Sequence, residues 1–132
     1  MSLQPLLSAS PVIQIHAFAA MAAFGLGVVQ LAAPKGTLPH RTVGCLWAAL
    51  MLAVAGSSMF IHTIRTWGPF SAIHLLSIFV LIQVPVAVWA ARRHRVGLHK
   101  RVMLGLFAGA LVIAGGFTFY PGRIMYQVVF GP

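Results

Sequence analysis

Four apolar stretches of about 20 residues each leave this chain few folds to adopt. They run 12–33, 43–64, 71–91 and 102–120, and short polar connections separate them. A helix of about 20 residues crosses the roughly 30 Å hydrocarbon layer of a bilayer, and a helix satisfies its own backbone N–H and C=O groups there. Short connections make successive helices antiparallel. The sequence therefore predicts an all-α, integral membrane four-helix bundle, a single four-span domain over residues 1–132.

Charge supports the same solvent. Not one Asp or Glu occurs, against nine Lys and Arg, and 60% of the chain is apolar. A water-soluble surface mixes both signs. The missing carboxylates exclude carboxylate acid/base pairs, Ca²⁺ or Mg²⁺ sites built on Asp and Glu, and carboxylate proton relays. The cations must meet water, anionic lipid, a partner or an acidic cofactor. They are scattered between apolar spans with no recognition motif, so no nucleic acid is expected; the expected partners are the lipid bilayer and a membrane protein or second copy of the chain. Cys45 is the single cysteine, which excludes an internal disulfide, and beside Leu46 and Trp47 it reads as a buried thiol. No Lys or Arg precedes the first apolar run, so that span is expected to be retained rather than cleaved.

Seven of the nine cations fall at one end of the bundle: Lys35 and Arg41 after the first span, and Arg92, Arg93, Arg95, Lys100 and Arg101 after the third. The other end has Arg65 and Arg123. Lys/Arg excess marks the cytoplasmic side, which places both termini outside, on the periplasmic side of a cell inner membrane. Trp47 and Trp89 are then expected at the inner interface, and Trp67 and Tyr120 at the outer one. Pro85 predicts a kink near Leu81. Two stripes of small residues, Ala19/Ala23/Gly27 and Gly105/Gly109, suit close packing inside the bundle or, as the second choice, a dimer.

The two halves of the chain also match each other. Pro11, Ile15 and His16 pair with Pro69, Ile73 and His74; after a one-residue slip, His40, Arg41 and Val43 pair with His99, Lys100 and Val102. This pattern reads as a duplicated helical hairpin, two tandem hairpins related by a pseudo-twofold along the membrane normal. That symmetry would steer His16 towards His74 at the outer level, with His62 joining them, and His40 towards His99 at the inner level. Ionisable groups inside spans are costly enough to be functional candidates. Imidazole ligates haem iron, zinc and copper, so His16, His74, His40 and His99 are the candidate cofactor ligands. His16, His62 and His74 form an alternative metal set. Arg41, Lys100 and Arg101 would supply countercharge to haem propionates. The structural alternative is that these histidines are interfacial anchors or interhelical hydrogen-bonders. His94, among arginines, reads as a solvated loop residue.

The stretches Ile15-His16-Ala17-Phe18, Pro39-His40-Arg41-Thr42-Val43-Gly44, Gly56-Ser57-Ser58-Met59-Phe60-Ile61-His62, Ile73-His74-Leu75-Leu76-Ser77, His99-Lys100-Arg101-Val102-Met103 and Phe117-Thr118-Phe119-Tyr120-Pro121-Gly122-Arg123 together resemble one family over nearly the whole chain. It is the bacterial membrane proteins grouped as domain of unknown function 2306. The resemblance implies a four-helix integral membrane protein and brings no established activity. A looser similarity is to membrane cytochromes b, but His40 and His62 stand about 33 Å apart along one helix at 1.5 Å per residue, farther than a dihaem arrangement requires.

The leading functional expectation is a redox or metal-handling membrane protein that binds haem b or a transition-metal ion through paired histidines. A small proton-linked transporter, with histidine as its titrating group, and a non-catalytic structural subunit of a membrane complex are the alternatives. Whether the protein is an enzyme stays open.

Overall fold

The structure, a computed structural model, describes residues 1–61, 68 and 72–131. Among these residues it is all-helical, and four helices are long and apolar enough to cross a membrane. A short α1 (Gln4–Leu7) precedes α2 (Pro11–Ala32) and α3 (Leu38–Ser58), which are followed by α4 (Ala72–Arg92) and α5 (Val96–Leu106). The last span continues from α5 through a π-helical segment (Phe107–Ile113), α6 (Ala114–Gly116) and a 3₁₀ turn (Phe117–Phe119); α7 (Ile124–Phe130) then closes the chain. Successive long helices pack side by side, and the π-helical segment also reaches α2, which closes the ring. At the end remote from the α2–α3 connection α1 packs on α7, and Ser2 N–H donates to the Val128 carbonyl at 2.9 Å.

Local chemistry sets the helix ends. Pro11 opens α2, where a missing N–H costs nothing. Lys35 folds back to close it, with Nζ donating to the carbonyls of Gln30 (2.6 Å), Leu31 (2.9 Å) and Ala33 (2.6 Å). The Thr37 hydroxyl caps α3 by accepting from the His40 N–H. This cap starts the helix at Leu38, five residues before the expected span, so His40 lies within its first turn. At the end of α4, His94 takes a left-handed conformation (φ 56°). The N–H groups of Arg95 and His94 then reach the carbonyls of Ala90 and Ala91, a Schellman closure. The Arg95 guanidinium lies over the Trp89 ring, 5.0 Å from its centroid. The final span begins at Val96, six residues before the expected 102, and takes in His99.

The core is thin, as expected of a bundle solvated by lipid. Only 11–33% of each span is buried in protein. Ala23, Trp47, Met51, Ala55, Val80, Val84, Leu106 and Leu111 form one contiguous cluster, while Ile15, Phe18, Phe79, Ile82 and Ile113 face outward. Lipid is as apolar as leucine, so outward apolar residues carry no cost.

Several expectations need correcting here. Trp47 is not an interfacial residue: it is buried in the core, and its indole N–H donates to the Ala23 carbonyl at 3.0 Å. Cys45 is exposed, because the inward stripe of α3 passes through Trp47, Ala48, Met51 and Ala55 and leaves Cys45 on the other face. Helix α4 stays helical through Pro85, and a departure from α-geometry that the sequence did not signal falls in the π-helical segment of the last span. The two glycine stripes also differ. A Cβ on Gly27 would meet the Phe107 ring at 2.6 Å and Trp47 Nε1 at 3.2 Å, so close packing requires glycine there; Cβ atoms on Gly105 and Gly109 would meet nothing within 4 Å.

Candidate functional site

The polar side chains in the spans bind neighbouring helices in distinct ways. His16, half-buried on α2, directs Nδ1 at the Val54 carbonyl (2.9 Å) and the Ser57 hydroxyl (3.2 Å) of α3. A carbonyl only accepts, so Nδ1 carries the proton and Nε2 the lone pair. His99, half-buried in the first turns of α5, does the same towards α4, with Nδ1 donating to the Ala87 carbonyl at 2.8 Å. Metal-ligating histidines are commonly oriented through such a bond, which fixes the tautomer and presents Nε2; structural interhelical bonds have the same form.

His40 differs. Its backbone is fully engaged: the N–H donates to Thr37, and the carbonyl accepts from Gln30 Nε2 at 2.9 Å. The Nδ1 atom of its ring is buried and has no hydrogen-bond partner among the described residues. Its electrostatic neighbours are Lys35 and His99. Two matched histidines from opposite halves of the chain are thus brought within electrostatic reach at the basic end of the bundle, one pinned through Nδ1 and one with Nδ1 unsatisfied. A buried imidazole nitrogen without a partner is an energetic deficit of about 1–3 kcal/mol that a ligand could relieve.

At the opposite end, His74 on α4 is 2% exposed, and one turn further on Ser77 meets Ser58 of α3 in a buried hydroxyl–hydroxyl hydrogen bond. Ser58 also lies against the Ala55 carbonyl (2.7 Å) and Ser77 against the Ile73 carbonyl (2.9 Å), so two protons serve three contacts in a local polar seam. His62, the third member of the expected outer cluster, lies outside the described residues. No group of three His, Cys, Asp or Glu side chains is placed to hold a metal ion among the described residues. The hydrogen bonds of His16 are to α3, within its own half of the chain. His94 is exposed in the α4–α5 turn.

Arg101 was expected beside His99 as a countercharge. It stands two residues on, about 200° round the helix, and lines a groove between α4 and α5 with Phe79, Gln83, Val102, Gly105 and Leu106. Sequence reasoning missed this groove. The available signal was the i, i+4 pairing of Arg101 with Gly105, which puts a cation and a gap on one helix face.

Residues 13–129 match the model of a family described as predicted membrane protein, domain of unknown function 2306. The chain belongs to that family. Comparison with curated proteins and with solved structures gives no match in either. The family description and the four spans agree on a membrane protein; the chemistry has to come from the site itself.

Proposed function

We propose that this protein binds a haem or a single transition-metal ion between the imidazoles of His40 and His99 and serves as a redox or metal-handling component of the membrane. The observation that carries this reading is the buried Nδ1 of His40, left without a hydrogen-bond partner among the described residues on a ring that has His99 among its electrostatic neighbours. A lone-pair nitrogen that has lost water is the ordinary state of a ligand awaiting its metal. His99 is held by Ala87 in the orientation and tautomer that offer Nε2. Haem or a redox metal, once bound, supplies one-electron chemistry. The chain orients the His99 ring through Ala87 and holds the His40 backbone through Thr37 and Gln30. It also brings Arg41 and Lys100, each next in sequence to one of the histidines, as countercharge for acidic groups on a cofactor. The sequence match between the two halves, which pairs His40 with His99, supports this reading.

Purification in mild detergent, followed by a visible spectrum and elemental analysis, tests the proposal. A Soret band, or zinc or copper at one equivalent, that is lost in both His40→Ala and His99→Ala is the expected result. A colourless preparation without stoichiometric metal, even after growth with added haem precursor and metals, would reject it. His16→Ala is expected to retain the cofactor, because that ring is engaged with Val54 and Ser57.

A further inference from the structure

We propose that the groove between α4 and α5 at the basic end of the bundle is a seat for one anionic phospholipid, with its phosphate on Arg101 and Gln83 and an acyl chain laid along Gly105. The groove has a cavity volume of about 310 Å³ and is bordered by Phe79, Gln83, Arg101, Val102, Gly105 and Leu106. Three observations define its occupant. The walls are apolar, and Gly105 leaves the floor open, with nothing within 4 Å of where its Cβ would stand. Arg101 is exposed on the outside of the bundle, five residues and about 7.5 Å along α5 from its start and within a candidate membrane span, where an arginine needs an anion or water. The chain has no Asp or Glu, so no side-chain carboxylate of its own can pair with that guanidinium. Gln83 adds a second polar group in the same groove, on the facing helix.

An anion with a long apolar tail meets all three demands at once. A free phosphate would meet only the charge, and an uncharged chain only the groove. A second groove, between α3 and α4, has a cavity volume of about 420 Å³ and also contains an arginine, Arg92, but that residue is the last of α4 and already sits at the helix end. It needs no special partner beyond headgroup water. Basic pockets between transmembrane helices are established seats for anionic headgroups. The α4–α5 groove has that chemistry, and none of its lining residues belongs to the His40/His99 site.

Native mass spectrometry of the detergent-purified full chain, titrated with phosphatidylglycerol or phosphatidylcholine, tests the proposal. Wild type is expected to retain phosphatidylglycerol over phosphatidylcholine by about fivefold, the contribution of one interfacial arginine. Arg101→Gln should bring that ratio close to one, whereas Arg93→Gln, in the exposed turn and outside the groove, should leave it unchanged. Gly105→Leu, whose Cβ meets nothing within 4 Å, puts a side chain into the groove and should lower retention of both lipids. Should Arg101→Gln not survive purification, Gln83→Leu is read instead, with an expected drop of about threefold in phosphatidylglycerol retention. Equal loss in Arg93→Gln and Arg101→Gln would mean diffuse surface attraction and overturn the proposal. So would an inert Gly105→Leu, or displacement of the lipid by excess glycerol phosphate. Cofactor content, measured on the same preparations, should not change in any of these variants.

Discussion

The two halves of this bundle, which share the pairings His16/His74 and His40/His99 in sequence, are held together by different means. The α2–α3 pair is fastened along its length: His16 reaches Val54, Trp47 donates to the Ala23 carbonyl, Gln30 donates to the His40 carbonyl, and Gly27 lets the Phe107 and Trp47 rings come down onto the α2 backbone. Phe107 also stacks on Phe24, with centroids 5.6 Å apart. In the α4–α5 pair His99 reaches Ala87 at the basic end, but the glycines of the last span have open space around them and its middle is π-helical. Apolarity alone does not hold helices together in lipid. Close approach at a small residue, and side chains that reach a neighbouring carbonyl, do. The first half is therefore the framework. The second presents the open groove and the irregular helix, and π-bulges are frequent at functional sites.

Glycine substitutions should separate the halves most sharply. Gly27→Ala forces a Cβ into the Phe107 ring and should cost about 1–3 kcal/mol by overpacking. Gly105→Ala meets nothing and removes a flexible helix residue, so it should stabilise by about 0.5–1 kcal/mol. Reversible unfolding in mixed detergent micelles reads both, and equal signs would break the contrast. Trp47→Phe, which keeps the ring and loses the N–H to Ala23, should cost about 0.6 kcal/mol and no more than about 1.7. A double-mutant cycle on Ser58→Ala and Ser77→Ala should show a coupling of about 0.6 kcal/mol between α3 and α4. Smallest of all, Cys45→Leu should change stability by less than about 0.5 kcal/mol, since the side chain faces outward; a loss above that would mean Cys45 is packed.

What could be read in the sequence follows from what lipid enforces. The bilayer sets a length and a polarity, so the four spans and the basic end are written directly in hydropathy and Lys/Arg placement. The inward face of each helix is not, because residues packed on protein and residues packed on lipid are equally apolar. That is why Trp47 was expected at the interface and Cys45 in the core, and why two similar small-residue stripes, one packed and one open, could not be told apart. Helix starts were late for a related reason: Thr37 and Pro39 on α3, and the closure at His94 and Arg95 before α5, extend the helices into polar sequence that hydropathy discounts. The pairing of His40 with His99 in sequence drew attention to both rings. Their inequality was not, because it depends on Ala87 accepting from one ring while Gln30 takes only the backbone carbonyl of the other.

The most direct test of the account is a titration of the detergent-solubilised protein with haemin, and separately with Zn²⁺ and Cu⁺, on wild type, His40→Ala, His99→Ala and the double variant. If both imidazoles serve one site, wild type binds one equivalent of haem or of one of these ions. Each single variant then loses affinity to about the same extent as the double, the strong non-additivity of two groups acting as a unit. Losses that simply add, or no saturable binding in wild type, would contradict a shared site at His40 and His99.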